Sequence, residues 1–185
     1  MTALAIRRCV RILRQGGVIA YPTEAVFGLG CDPDDEQAVL RLLAIKRRSV
    51  DKGLIVIADR FERLQSYLLP LDDRQRQMIM ATWPGPVTWL LPVHDQVPGW
   101  LRGIHSTLAV RVTAHPLAAE LCRQWGKPLV STSANLAGHP PARSAIQVRR
   151  QLGDLTDGVL AGDVDLMARP SEIRDLATGR VIRAG

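Results

Sequence analysis

Lysines, aromatic residues and cysteines are scarce in this chain, and each scarcity excludes something. Lys46, Lys52 and Lys127 are the only lysines among 24 basic residues, so arginine carries almost all of the net charge of +6. That balance suits an anionic partner such as a nucleotide or RNA, and solubility alone would also account for it. Aromatic side chains are 4% of the 185 residues, which leaves few platforms on which nucleic-acid bases could stack. Cys9, Cys31 and Cys122 stand far apart in no C-x-x-C pair, which argues against a disulfide framework or a thiolate zinc site. No stretch approaches the roughly 18 apolar residues of a membrane span. The opening "MTALAIRRCVRILRQG" has neither the apolar run nor the small-residue cleavage site of a secretory signal. A cytoplasmic protein without a membrane role is expected.

Familiar catalytic motifs are missing too. The chain has no G-x-x-x-x-G-K-[ST], and Gly28-Leu29-Gly30 is only a fragment of G-x-G-x-x-G, because Pro33 stands where the third glycine belongs. His94, His105, His115 and His139 show no metal-ligand spacing and lie in no G-x-S-x-G or H-E-x-x-H setting. P-loop, Rossmann, hydrolase and metalloprotease sites are therefore not expected, and no residue is assigned as a metal ligand.

What is present is the composition of one globular domain, 46% hydrophobic and 23% charged, with no linker, internal repeat or low-complexity segment. A single domain over residues 1–185 is expected. Ile6, Cys9, Val10 and Leu13 fall at helical spacing, with Arg7, Arg11 and Arg14 on the opposite face. "VIAYPT", "GLIVIAD", "VTWLLPV", "TLAVRVT" and "PLVSTS" read as strands. Asp32-Pro33-Asp34-Asp35 reads as a helix start with Asp32 as N-cap and Pro33 at the first helical position. Further helices are expected over 60–69, 72–82, His115–Trp125 and Ser144–Leu152, the last capped by Ser144. The tail "SEIRDLATGRVIRAG" reads as two short strands around Thr178-Gly179. The class is α/β, with a twisted and partly antiparallel sheet.

Polar residues stand where these strands end, which is where α/β folds place ligands. Thr23 and Glu24 follow the first strand, and Lys46, Arg48 and Lys52 lie between a helix and the next strand. Arg111 interrupts Leu108, Ala109, Val110 and Val112, and a guanidinium buried there needs an anionic or carbonyl partner. In "KPLVSTSANLAGHP" an apolar run opens into Ser131, Thr132, Ser133 and Asn135. Cations, hydroxyls and an amide, without a nucleophile and base pair, suit phosphate and carboxylate groups and catalysis by positioning. Each piece has a plainer reading that stays open: Thr23 as a turn residue, Lys46 and Arg48 as complements of a helix dipole, and Ser133 and Asn135 as a turn cap.

Taken together, "VIAYPTEAVFGLGCDP", "KRRSVDKGLIVI", "WPGPVT", "LAVRVTAHPL", "GKPLVSTSANLAG", "PSEIRD" and "VIRAG" resemble the YrdC/TsaC family of threonylcarbamoyl-AMP synthases in its short bacterial form, from residue 18 onward. The resemblance implies a twisted, open mixed sheet flanked by helices around a basic concave cavity. It implies synthesis of threonylcarbamoyl-AMP from L-threonine, bicarbonate and ATP with release of pyrophosphate, magnesium accompanying the ATP. The product would serve a threonylcarbamoyl modification of tRNA, completed by partner proteins.

The family's K-x-R motif falls on Lys46 and Arg48 and its S-x-N motif on Ser133 and Asn135, which implies nucleotide and phosphate contacts, with Lys46 and Arg48 catalytic. Thr23, Arg111 and Ser171 match positions for threonine, and Ser144 and Arg183 match further nucleotide contacts. Many members have proline where Ser49, Gly53 and Thr113 stand. No second domain is expected after residue 185, so closure over substrates would fall to this domain. A rival class is a non-catalytic protein binding double-stranded RNA or tRNA through phosphates.

Overall fold

The computed structural model describes residues 2–185. The first helix, α1 (Thr2–Arg14), buries Ile6, Cys9, Val10 and Leu13 as their spacing predicts and leaves Arg7, Arg11 and Arg14 exposed. The strands that follow are β1 (Ile19–Pro22), β2 (Phe27–Gly30), β3 (Ile55–Ala58), β4 (Val87–Pro92), β5 (Thr107–Val112), β6 (Leu129–Ser133), β7 (Gly158–Val159), β8 (Glu172–Asp175) and β9 (Val181–Arg183). They form one nine-stranded sheet in the order β7-β1-β2-β6-β3-β5-β4-β8-β9. Pairs β1/β7, β3/β5 and β4/β8 are parallel and the rest antiparallel, so the sheet is mixed as expected.

Alternation along the strands sorts side chains onto two faces. Ile19, Tyr21, Ile57 and Leu129 pack with α1 and with α5 (Pro116–Trp125). Val18, Ala20, Val56, Ala58 and Val130 point the other way into a larger core that takes in α2 (Glu36–Lys46) and α6 (Ala145–Leu152). Each fully buried Leu, Ile or Phe in these cores contributes about 1.5–3 kcal/mol relative to exposure. Helix α5 starts at His115, whose ring accepts from the Ala118 amide, and α6 starts at Ser144, whose hydroxyl accepts from the Gln147 amide. A short helix α4 (Gly99–Arg102) and the closing β8/β9 hairpin around Gly179 (φ +68°) complete the far side.

Three expectations are corrected. The N-cap of α2 is Asp35, which accepts from the Ala38 amide, and not Asp32; the Asp32 carboxylate accepts from the Asp34 amide and pairs with Lys127 at 3.2 Å. The helix expected over 60–69 is two 3-10 turns, Phe61–Arg63 and Gln65–Tyr67. Phe61, Leu64 and Tyr67 are buried at a spacing of three, the period of that tighter winding. The next helix, α3 (Asp73–Met80), is shorter than 72–82 and begins with a capping box between Asp72 and Gln75.

Strand β2 was unforeseen, because two of its four residues are glycines, which strands usually avoid. A Cβ at Gly30 would lie 2.4 Å from the Val130 carbonyl and 2.8 Å from the Tyr21 ring. Glycine is thus the condition for β2 to fit between β1 and β6.

Candidate functional site

Helices α1 and α5 cover only part of their face of the sheet. Register places Ile55, Ala109, Arg111, Ser131, Ser133 and Gly28 on that same face. These residues line a cavity of about 470 Å³, within the range of small-molecule sites. Arg48, Lys52, Arg102, Arg111 and Arg183 bring positive charge to it, and Glu24 is the only carboxylate in the lining.

Arg111 is 5% exposed, and its Nη2 lies 3.3 Å from Glu24 Oε2. Glu24 Oε1 accepts from Thr113 Oγ1 at 2.8 Å and from the Ala114 amide at 3.1 Å. Burial alone would raise the Glu24 pKa, but the Arg111 guanidinium together with these donors holds it below the usual carboxylate range. Arg111 Nε and Glu24 Oε2 both lack a hydrogen-bond partner. Both atoms are shut off from solvent, and Glu24 Oε2 is met electrostatically by Arg111 Nη2, so the ion pair is held at the cavity wall with a charge of each sign. Thr23 lies beside them and its Oγ1 donates to the Val26 carbonyl at 2.6 Å, so the turn reading of Thr23 is realised at the cavity wall.

At the C-terminal end of α2 the two cations of K-x-R part company. Arg47 adopts φ +48°, ψ +46°, and the amides of Arg47 and Arg48 return to the Ala44 and Leu43 carbonyls, closing the helix. Lys46 stays behind the cavity wall, 7% exposed. Its Nζ donates to the Ser133 carbonyl at 2.6 Å, the Asn135 carbonyl at 2.7 Å and Asn135 Oδ1 at 2.5 Å. Burial, and then the Arg48 charge, push its pKa down to about 8. Beyond the left-handed residue, Arg48 faces the cavity, held by its Nη2 bond to the Gly53 carbonyl at 2.9 Å, with Nε buried and unpartnered. The two cations of K-x-R therefore do not share one environment, since Lys46 is buried among carbonyls and Arg48 alone lines the cavity.

The polar end of β6 divides likewise. Ser133 lines the cavity, whereas Asn135 faces Lys46 and its amide donates to the His139 carbonyl at 2.6 Å, so it builds the turn as well. Ser171 and Arg183 line the opposite wall, where Ser171 Oγ accepts from Thr88 Oγ1 and Arg183 Nη2 donates to the Ser171 carbonyl at 2.7 Å. Partial burial, followed by repulsion from Arg111 and Arg48, lowers the Arg183 pKa, so these guanidiniums feel one another across the cavity. Of the expected site residues, Thr23, Arg48, Arg111, Ser133, Ser171 and Arg183 converge, while Lys46, Asn135 and Ser144 lie outside the lining. Arg102 and His105 line the cavity without having been foreseen; Arg102 ends the short helix α4 and His105 lies just beyond it, where no periodicity or motif marks them.

The family model of the Sua5, YciO and YrdC proteins, described as "Telomere recombination", matches residues 11–185. A Nitrosococcus oceani protein named threonylcarbamoyl-AMP synthase is 60% identical over 178 residues, 96% of each chain. The crystal structure of P. abyssi Sua5 complexed with L-threonine superposes with a TM-score of 0.87 at 32% identity, covering 93% of this chain and 51% of that one. The E. coli YciO crystal structure gives a TM-score of 0.86 at 28% identity over 100% of this chain and 90% of that one. The chain thus belongs to the Sua5/YciO/YrdC family, as its ordered sequence blocks predict.

Proposed function

We propose that the cavity makes threonylcarbamoyl-AMP from L-threonine, bicarbonate and ATP, releasing pyrophosphate. The observation that carries the reading is the ion pair of Arg111 and Glu24, which presents a cation and a carboxylate side by side in the cavity lining. A donor for a carboxylate beside an acceptor for an amino group fits a free amino acid. The relatives' name and the L-threonine in the P. abyssi structure support threonine as that amino acid, with Thr23 and Ser171 at its flanks.

The chemistry needs two steps. The threonine amine attacks bicarbonate carbon, a C–N bond forms and water leaves, giving the carbamate. A carbamate oxygen then attacks the α-phosphorus of ATP, and the bond to the β-phosphoryl oxygen breaks with its electron pair leaving on pyrophosphate. Neither step requires a covalent nucleophile from the protein. Arg48 and Arg183 would stabilise charge building on the phosphates, Ser133 would hydrogen-bond to them, and Lys46 with Asn135 would hold that wall in place. Ser144, engaged as the cap of α6, would act on the nucleotide through the helix start it organises. Among the described residues no three His, Cys, Asp or Glu side chains gather to hold a metal ion, so magnesium would arrive on the triphosphate and neutralise its charge there.

The product is a reactive mixed anhydride, so partner proteins that carry the group to tRNA would act in the same compartment, the cytoplasm. Among the described residues no helix is long and apolar enough to cross a membrane. RNA binding without catalysis has less support, because the cavity has the volume of a small-molecule site and the exposed arginines of α1 take no part in it.

The test is incubation of the purified chain with ATP, bicarbonate and L-threonine, following pyrophosphate release and the adenylate by mass spectrometry. L-valine, which lacks the hydroxyl, should react at least about 100-fold more slowly. A folded protein that forms no adenylate overturns the proposal, and equal rates with valine overturn the assignment of Thr23.

A further inference from the structure

The sheet has two ends. The chain's last strand, β9, forms one of them, and β7 forms the other with β1 as its single neighbour. Leu160, just after β7, turns its amide inward to the Ala20 carbonyl at 2.8 Å, so by the alternation of a strand Val159 turns its own amide and carbonyl away from the sheet. Such an edge is a template for another extended chain.

A groove of about 780 Å³ lies at that edge, with Gly158 and Val159 in its lining. Helix α1 walls one side with Leu4, Arg8, Arg11 and Ile12, and α6 walls the other with Arg149 from its last turn. Gly158 brings α1 close to the edge, since a Cβ there would lie 2.6 Å from Ile12 Cδ1. Leu4 is 76% exposed, so part of the wall is apolar surface left to solvent.

The charge of the groove is one-sided. Arg8, Arg11 and Arg149 are exposed, and among the described residues their guanidiniums enter no hydrogen bond or ion pair. Asp154 is the only carboxylate in the lining among the described residues. The nearby Asp157 is already taken, by Arg41 at 2.6 Å and by the Val18 amide at 2.8 Å. Three cations over an apolar floor, beside an open strand edge, complement a segment that is acidic, partly apolar and extended.

Other occupants fit less well. Among the described residues no aromatic side chain lines the groove, so a nucleic-acid base has nothing to stack on, and phosphates would leave the apolar wall uncovered. A second copy would bring its own net charge of +6 against the same arginines. The chain's own last strand is at the opposite end of the sheet.

We propose that this edge docks an acidic, extended segment of a partner protein, which adds to β7 as a further strand, sets carboxylates against Arg8, Arg11 and Arg149, and covers Leu4 and Ile12 with its apolar side chains. The docking is independent of the reaction assigned to the other cavity, because the two linings share no residue.

The experiment titrates the capped peptide Glu-Val-Glu-Glu-Val-Glu, which puts carboxylates on both faces of a strand, into the whole isotope-labelled chain and follows backbone amide shifts by NMR. The wild type should bind it with a dissociation constant below about 1 mM, with the largest shifts at Gly158, Val159 and the outer face of α1. The double variant Arg8→Ala/Arg149→Ala should bind about tenfold more weakly, the loss of two surface charge pairs, and Arg8→Lys/Arg149→Lys should stay within about threefold of wild type. The acidic peptide N-methylated throughout, which cannot donate to a sheet, should bind at least about tenfold more weakly. Adenylate synthesis should stay within about twofold of wild type in both variants, whose substitutions are on the surface. No shift at about 5 mM peptide, shifts confined to the other cavity, unchanged affinity in the alanine variant, or equal binding of the N-methylated peptide overturns the docking edge. An RNA duplex of about 16 base pairs that moves the same amides at lower concentration than the peptide gives the groove to nucleic acid, and self-association that protects Val159 gives it to a second copy; either overturns the proposal.

Discussion

Lys46 gives the sharpest test of how the site is held, because the structure assigns it a different task from its neighbour two residues on. Its ammonium is buried and spans the Ser133 and Asn135 carbonyls and the Asn135 side chain. Lys46→Met keeps the apolar stem, so little transfer energy is lost, but three oxygens lose a charged donor. Each such bond is worth about 1.5–3 kcal/mol net. Against this stands the cost of burying the ammonium, visible in the pKa lowered to about 8. The expected net loss is about 3 kcal/mol, the lower end of what breaking a buried charged contact costs. With a urea dependence of about 2 kcal/mol/M, the unfolding midpoint should fall by about 1.5 M. Activity should fall with it, since the wall bearing Ser133 is loosened.

The pH dependence of this loss carries a sign. A lysine whose folded-state pKa is depressed adds stability as pH rises from about 8 to its unfolded value near 10.4, so the wild type's margin over Lys46→Met should widen across that window. A midpoint shift below about 0.3 M, with activity nevertheless abolished, would refute the reasoning and put the ammonium on the substrate instead.

Arg48→Ala should do the reverse, lowering adenylate formation by about 100-fold while costing under about 1 kcal/mol, since its protein bonds are the single contact to Gly53 and a long one to Lys52. Wild-type turnover in a folded Arg48→Ala would remove it from the site. Arg111→Met should strand Glu24 without its counter-charge. Glu24's depressed pKa gives stability that is present above its unfolded value of about 4.3 and lost as pH falls through the folded value, so acid unfolding followed by tryptophan fluorescence should move to higher pH in the variant. An unchanged acid midpoint would show that the pair contributes nothing. Cys9, Cys31 and Cys122 are all buried, with thiol pKa values raised by burial and that of Cys9 up to about 11. The triple alanine variant should keep turnover within about twofold, and loss of activity in a folded variant would reveal a thiol function.

Where one face of an element is buried, the residues announced it. The stripe on α1, the apolar strands β3 to β6 and the cap at Ser144 follow from period and side-chain chemistry. Strand β2 did not, because its glycines are selected by contacts with Tyr21 and Val130, which lie outside the segment itself. The start of α2 was read three residues early, at Asp32, whose carboxylate instead accepts from the Asp34 amide and pairs with the distant Lys127. Arg111 was legible as a charge in an apolar strand. The parting of Lys46 and Arg48 was not, since it depends on one left-handed residue, Arg47, whose conformation no side-chain pattern marks. Arg102 entered the site because the end of α4 packs on the 51–54 segment, an approach that Gly53 and Gly103 permit, which is again a tertiary fact.

The shortage of lysine now has a physical reading. Arg48, Arg111 and Arg183 share one cavity, and burial, followed by repulsion from the other two, lowers the pKa of Arg183. A lysine so placed would have its pKa lowered, as burial and the Arg48 charge lower that of Lys46 to about 8. Arginine, whose unperturbed pKa lies above about 12, keeps its charge under the same crowding and offers several donors in a plane. Crowded guanidiniums repel one another, and a bound polyanion offsets that repulsion. Lysine remains where solvent reaches it, at Lys52 and Lys127, or where its ammonium is enclosed by carbonyls, at Lys46. On this argument Arg111→Lys is not conservative. With Glu24 as its only buried counter-charge it should lose most of its affinity for threonine, and threonine affinity equal to wild type in that variant would show that charge alone, without the guanidinium's fixed geometry, suffices.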